Sequence, residues 1–122
     1  MQFDLTVDWL VAGSGAAGMT GALVASQLGG EVLLVEKDSV YGGTTALSGG
    51  VAWIPGHSSQ AKLGLDDSVA EGYQYLNGLI GDSVREARVR AYAERSSEML
   101  DFMSRHTRVS YEPLPSLSLI HI

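Results

Sequence analysis

Three glycines and one acid near the N-terminus have the types and spacing of a nucleotide-binding turn. Gly13, Gly15 and Gly18 form a Gly-x-Gly-x-x-Gly motif, and Glu36 follows near the spacing of about 20 residues expected of an acid that binds a ribose. Glycine at these positions permits a tight turn, close approach of the backbone to a pyrophosphate, and close packing of a helix on a strand. The acid favours an unphosphorylated ribose, because its charge repels a 2′-phosphate.

The elements needed to position these residues follow one another in the sequence. The apolar run Trp9–Ala12 predicts a strand, small residues from Ala16 to Leu28 predict a helix, and 31–35 predicts a second strand that ends on the acid. The N–H groups at the helix start, near Ala16 and Ala17, are expected to be free to face an anion. This order predicts an adenine-dinucleotide site in a Rossmann-like α/β fold, rather than a close-packed turn without a ligand.

A second glycine-rich stretch, Tyr41–Pro55, discriminates between the possible dinucleotides. It carries two Gly-Gly pairs around one predicted helical turn, with hydroxyl groups on Thr44, Thr45 and Ser48. Backbone N–H groups and hydroxyls at this density suit a second pyrophosphate contact or a flavin contact. A nicotinamide-binding domain normally continues from the ribose acid into an ordinary helix. The stretch therefore favours a flavin dinucleotide, with a mobile glycine loop as the alternative.

The two glycine segments together resemble a known family. Glu36-Lys37, the run Gly42–Gly50 and Trp53-Ile54-Pro55 resemble the N-terminus of the fumarate reductase/succinate dehydrogenase flavoprotein superfamily. Within that superfamily, the Trp-Ile-Pro sequence resembles the 3-ketosteroid Δ1-dehydrogenase branch more than the fumarate reductases. The resemblance is strong over 7–55 and looser as far as Pro115.

The resemblance implies FAD as the cofactor and a set of residues that bind it. It places the pyrophosphate over 13–17, the ribose on Glu36 and the adenosine end near Lys37. The full set of cofactor-binding residues that we predict is Gly13, Ser14, Gly15, Ala16, Ala17, Glu36, Lys37, Gly43, Thr44, Thr45, Ser48, Gly49 and Gly50. The resemblance assigns no catalytic residue, because the family's catalytic tyrosines or arginine lie beyond the matched segments. His57, alone in a polar connection, is expected to be solvated rather than an acid–base group.

The implied function is that of an FAD-dependent oxidoreductase, of which residues 1–116 form the N-terminal part of the FAD-binding domain. The implied reaction makes a carbon–carbon double bond, as in 1,2-dehydrogenation of a 3-ketosteroid. This segment alone is expected to be inactive, because it lacks a substrate pocket and the rest of the flavin site. Three alternatives remain: a fumarate-reductase-like flavoprotein acting on a dicarboxylate, an NAD-dependent dehydrogenase, and a non-catalytic fragment that binds a nucleotide or a partner.

Composition excludes several other classes of function. The 122 residues carry a net charge of −6, which argues against nucleic acid or an anionic membrane as partner. The chain has no cysteine, so disulfides, thiolate metal sites and thiol catalysis are excluded, and we expect no metal site. No apolar run approaches the roughly 20 residues that span a membrane. The segment 1–8 has no basic region of a signal peptide, so we expect a cytoplasmic protein.

The downstream residues predict helices without assigned chemistry. Asp66 or Asp67 is expected to cap a helix. The pattern from 84 to 105 predicts a helix that is broken near Ser96, since serine favours a helix start. The alternation over 109–111 predicts a short strand.

The last six residues, Leu117–Ile122, fit nothing before them. They are the in-frame translation of a common transposase adapter, CTGTCTCTTATACACATC. We therefore expect a non-native tail and leave it out of the fold prediction.

Overall fold

The computed structural model describes residues 4–114, which divide into two units between Ala52 and Trp53. The first unit contains a pair of β-strands, one α-helix and a 3₁₀ turn, and the second is helical. The predicted non-native tail, 117–122, lies outside the described residues.

The N-terminal unit follows the predicted order of strand, turn, helix and strand. Strand β1 is Trp9–Ala12, helix α1 is Ala16–Gln27 and strand β2 is Val32–Val35. The strands pair in parallel, with Trp9 opposite Val32. Parallel neighbours need a crossover connection, which α1 provides. The described chain is therefore an α/β structure, as the sequence predicts.

The strand pair leaves apolar side chains exposed. Trp9 is 58% exposed and Leu10 is 66% exposed, although both lie in β1. Parallel sheets normally have both faces covered by other elements. Two strands and one helix are therefore too few to cover the apolar faces of this sheet.

Helices make up the second unit. Helix α2 is Ser58–Lys62, α3 is Val69–Ile80 and α4 is Glu86–His106, and α3 packs against α4. Helix α2 was not predicted. It begins where His57 supplies a cap, since the His57 Nδ1 accepts a hydrogen bond of 3.3 Å from the backbone N–H of Ser59.

The expectation that His57 is solvated is wrong. Its side chain is only 14% exposed, and the Nε2 atom lies 3.5 Å from Asp101 Oδ1. The Nδ1 atom also lies 2.7 Å from the hydroxyl of Ser59. The imidazole accepts from the backbone at the start of α2, so its role in the described residues is that of a helix cap.

Helix α4 continues through the serines at which the sequence predicted a break. Val89, Ala93, Ser96 and Leu100 are buried, and their spacing forms one stripe on a single helix. Packing of this stripe outweighs the weak local preference of serine for a helix start. The predicted break near Ser96 is therefore wrong.

Two further local predictions are wrong. The residue that caps α3 is Ser68, rather than Asp66 or Asp67, and its hydroxyl accepts from a backbone N–H of the first turn. Asp67 instead accepts a hydrogen bond of 3.2 Å from the backbone N–H of Gly56. Residues 109–111 form no strand, because nothing among the described residues pairs with them.

Glycine 72 allows α3 to pack against Pro55. A Cβ atom at Gly72 would lie 2.3 Å from the Cβ atom of Pro55, which is fully buried. Gly78, in the same helix, has no atom within 4 Å of the equivalent point.

Gly72→Ala should lower the free energy of unfolding by about 1–3 kcal/mol, because overpacking forces the backbone or the proline to move. The matched control Gly78→Ala should raise it by about 0.5–1 kcal/mol, because alanine loses less backbone entropy in a helix. Urea denaturation followed by circular dichroism measures both. Two changes of the same sign would contradict the close contact at Gly72.

Candidate functional site

The first glycine turn requires the absence of side chains at two positions. Gly13 has a φ of +99°, which side-chain-bearing residues rarely adopt. A Cβ atom at Gly18 would lie 2.0 Å from the carbonyl oxygen of Gly13. The start of α1 therefore rests directly on the turn, as the spacing of the glycines predicts. Gly15 is the N-cap of α1 and provides no side-chain cap, so no side chain at the N-cap occupies the donors at the helix start.

Glu36, at the end of β2, is the centre of the hydrogen bonds in this unit. Its Oε2 atom accepts from Ser14 twice, from the backbone N–H at 2.8 Å and from the hydroxyl at 2.5 Å. Its Oε1 atom accepts from the backbone N–H groups of Lys37 at 2.8 Å and Asp38 at 3.1 Å. The carboxylate is thereby held directly beside the glycine turn.

These donors keep Glu36 ionised. The hydroxyl and backbone N–H of Ser14, with the N–H groups of Asp38 and Lys37, lower the pKa of Glu36 from 4.5 to about 2. A carboxylate that is charged throughout the physiological range is an acceptor and not a donor. It therefore suits a ligand that presents hydroxyl donors, as a ribose does.

The second glycine stretch returns to the first turn. Residues Gly43–Leu47 form a 3₁₀ helix, and the N–H of Gly42 donates to the Ser14 hydroxyl at 2.8 Å. A Cβ atom at Gly43 would lie 3.6 Å from the Cα atom of Gly15, so the two segments meet backbone to backbone. The structure thus brings together the two glycine segments that the sequence singled out.

One backbone N–H donor at the start of α1 is already engaged in a hydrogen bond. The N–H of Ala16, which we expected to be free, donates to Thr45 Oγ1 in an exposed hydrogen bond of 3.2 Å. This expectation is wrong for Ala16, because the Thr45 hydroxyl reaches the helix start from the second stretch. Ala16 and Ala17 are both exposed, so this end of the helix is accessible to a ligand.

The remaining predicted residues lie on the exposed surface of the second stretch or beside Glu36. The Ser48 hydroxyl donates to the Thr45 carbonyl at 2.8 Å and accepts from the Gly50 N–H at 3.1 Å. Besides Ala16 and Ala17, the exposed predicted residues are Lys37, Gly43, Thr44, Thr45, Ser48, Gly49 and Gly50. Their hydroxyl and N–H groups are therefore accessible, beside the side chain of Leu47, which is 89% exposed in the same stretch.

Sequence reasoning missed the partnership of Ser14 with Glu36 and the contribution of Gly42. Ser14 entered the predicted site only as part of the turn, and its hydroxyl was given no role. The one available signal is that Ser14 carries the only hydroxyl within the Gly13–Gly18 motif. Spacing alone does not reveal that this hydroxyl faces the acid or the N–H of Gly42.

Residues 4–114 lack two features that would indicate other kinds of site. No cluster of three or more histidine or acidic residues that could hold a metal ion occurs there. No helix there has the length and apolar character to cross a membrane.

The chain matches a protein-family model. Residues 8–117 match the model described as "FAD binding domain". The chain belongs to this family. FAD is the cofactor of the family, and the residues of this chain fit it: a glycine turn, an exposed helix start and an ionised acid lie in one unit.

Related proteins agree with this membership. The chain is 42% identical over 120 residues to a 3-oxosteroid 1-dehydrogenase of Mycobacterium tuberculosis, an alignment of 96% of this chain and 21% of that protein. It is 40% identical over 107 residues to a 4-oxocyclohex-2-ene-1-carboxylate 5-dehydrogenase of Sinomonas cyclohexanicum, covering 88% of this chain and 18% of that protein. The chain thus spans about a fifth of the length of these relatives.

The fold of the chain also matches that of a solved structure. The 3-ketosteroid Δ1-dehydrogenase of Sterolibacterium denitrificans, in complex with 1,4-androstadiene-3,17-dione, matches with a TM-score of 0.73 and 40% identity. The match covers 81% of this chain and 17% of that protein.

The carboxyl group of Glu36 should titrate far below an ordinary glutamate. Its ¹³C NMR shift should change with a midpoint near pH 2 rather than 4.5, because four donors stabilise the ionised form. A lowered pKa stabilises the fold above pH 4.5, and this contribution should be lost as the pH falls through about 2. A midpoint near 4.5 would show that the Ser14 contacts do not persist in solution.

Proposed function

We propose that the chain is the N-terminal, cofactor-binding part of an FAD-dependent dehydrogenase that forms a carbon–carbon double bond next to a ketone. The observation that carries the proposal is the meeting of the two glycine segments beside an ionised Glu36. If the unit bound a nicotinamide dinucleotide instead, the second glycine stretch would have no role in binding the cofactor. We also propose that β1 and β2 belong to a larger Rossmann-like sheet, which would cover the exposed side chains of Trp9 and Leu10.

In this proposal each segment binds a different part of FAD. Glu36 accepts hydrogen bonds from the ribose hydroxyls, the turn 13–17 receives the pyrophosphate, and Lys37 lies near the adenosine end. The remaining residues, beside the pyrophosphate, ribityl chain and isoalloxazine, are Gly43, Thr44, Thr45, Ser48, Gly49 and Gly50. Their N–H and hydroxyl groups supply donors, and the glycines admit the cofactor without steric obstruction.

When bound, FAD supplies a hydride acceptor for a saturated carbon beside an activated C–H bond. The residues of this chain bind and orient the cofactor rather than move protons on the substrate. His57 has its Nδ1 engaged at the start of α2, so we assign it no catalytic role. The acid–base residues of the reaction belong to other parts of the enzyme in this proposal.

The proposed substrate is a cyclic ketone, and the favoured candidate within this class is a 3-ketosteroid. The relatives include dehydrogenases named for 3-oxosteroids and one named for an oxocyclohexene carboxylate, which share a ketone on a six-membered ring. A reductase is the second candidate, because the chain is also 44% identical over 63 residues to a urocanate reductase of Eggerthella lenta.

Binding of FAD to the 122-residue chain tests the cofactor assignment. Gly18→Ala should weaken FAD binding by roughly tenfold or more, because its Cβ would lie 2.0 Å from Gly13 O and displace the turn. The matched control Gly21→Ala lies in the same helix, has no atom within 4 Å of the added Cβ, and should bind like the wild type. Isothermal titration calorimetry measures both. Equal binding by the two variants would remove the turn from the site.

The activity is tested on the product of the source gene. DNA sequenced across codon 116 should continue in frame, and its purified product should be yellow. With 4-androstene-3,17-dione as donor, that product should reduce an artificial electron acceptor and yield the 1,4-diene. Reduction of urocanate or fumarate without dehydrogenation of the steroid would favour the reductase. A stop codon at that place would overturn the proposal for this chain.

A further inference from the structure

We propose that Ser14 is a positioning residue that fixes the Glu36 carboxylate for the ribose of the cofactor and ties it to the second glycine stretch. The proposal rests on the FAD site proposed above. It adds a role for a hydroxyl inside the glycine motif, where the motif itself asks only for a residue of any type.

Ser14 holds the Glu36 carboxylate with two hydrogen bonds. The backbone N–H and the hydroxyl of Ser14 both donate to the same oxygen, Oε2 of Glu36, at 2.8 and 2.5 Å. Ser14 itself is only 1% exposed. Two donors from one buried residue restrict the carboxylate in both position and orientation, as hydrogen bonds to a charged acceptor are strong.

The hydroxyl of Ser14 is also an acceptor. It receives the N–H of Gly42 at 2.8 Å, so one oxygen atom joins the end of β2 to the start of the second glycine stretch. An alanine at this position would leave the N–H of Gly42 without its acceptor and would remove one of the donors to Glu36 Oε2. Unsatisfied groups in a part-buried place are costly, so the loss should loosen both contacts together.

The two oxygens of Glu36 differ in their surroundings. The bonds from Ser14 to Oε2 are part-buried, whereas those from Lys37 and Asp38 to Oε1 are exposed. A ribose hydroxyl approaching from solvent therefore meets Oε1, where it shares or replaces exposed contacts. The buried bonds to Oε2 remain in place and hold the acid during binding.

The charge state of Glu36 supports the same role. The hydroxyl of Ser14 is the largest of the causes that lower the pKa of Glu36 to about 2. Loss of this hydroxyl should move that pKa upward, whether or not a nucleotide is present. A rise in the pKa of Glu36 would show that Ser14 acts on the acid itself, whereas a merely structural role of Ser14 would not require it.

The test compares Ser14→Ala with Ser39→Ala in the full 122-residue chain, using ADP-ribose as the probe. In Ser14→Ala, the ¹³C NMR midpoint of the Glu36 carboxyl should rise, and ADP-ribose should bind about tenfold more weakly, as expected for loss of a bond to a charged group. Ser39→Ala should change neither, because the Ser39 hydroxyl is exposed and lies 3.4 Å from Asp38 Oδ1. Ser14→Thr keeps the hydroxyl and should restore the low midpoint. Should Ser14→Ala fail to fold, Ser14→Cys replaces it.

A double-mutant cycle with Glu36→Gln completes the test. If Ser14 acts through Glu36, the tenfold effect of Ser14→Ala should largely disappear in the Glu36→Gln background. Equal effects in both backgrounds, or an unchanged midpoint in Ser14→Ala, would overturn the role of Ser14 alone. Failure of the wild-type chain to bind either ADP-ribose or FAD would instead overturn the proposed site, and the ribose role with it.

Discussion

The hydrogen bonds on the Glu36 carboxylate are the interaction on which the N-terminal unit depends. Glu36 ends β2, Ser14 lies in the turn after β1, and the Ser14 hydroxyl accepts from Gly42 at the start of the second stretch. One charged group thus ties together segments that are distant in the sequence. Backbone N–H groups and a hydroxyl stabilise its negative charge without neutralising it, which leaves a charged acceptor at the protein surface.

The proposed site therefore has two parts. One is the ionised Glu36 carboxylate, which accepts hydrogen bonds, and the other is an exposed surface of N–H and hydroxyl donors. The acid end is held by internal hydrogen bonds, and its low pKa keeps it an acceptor. The helix start and the second stretch are exposed and rich in N–H and hydroxyl donors, as a pyrophosphate requires. Opposite polarities at the two ends match a ligand whose ribose donates and whose phosphates accept.

The sequence predicted the parts of this structure that local rules determine. β1, α1, β2 and the glycine turn follow from apolar runs and from the positions of Gly13 and Gly18. Some failures are local, such as the choice of Ser68 as the cap of α3, and others depend on contacts between residues distant in the chain. The buried stripe of α4 overrides Ser96, and the Thr45 hydroxyl engages a helix-start N–H that local reasoning left free. The Ser14–Glu36 pair was missed for the same reason.

The same physics explains why a segment of this kind can serve enzymes with different substrates. Glu36 and the turn would contact the adenosine and pyrophosphate parts of the cofactor, which are remote from the atom that accepts hydride. Contacts made equally in the ground state and the transition state strengthen binding without lowering the barrier. Substitutions at Ser14, Gly18 or Glu36 are therefore expected to act on cofactor occupancy. In the proposed enzyme, the residues that touch the substrate would then determine which substrate is used, in keeping with relatives of this segment that are named for steroid and for monocyclic substrates.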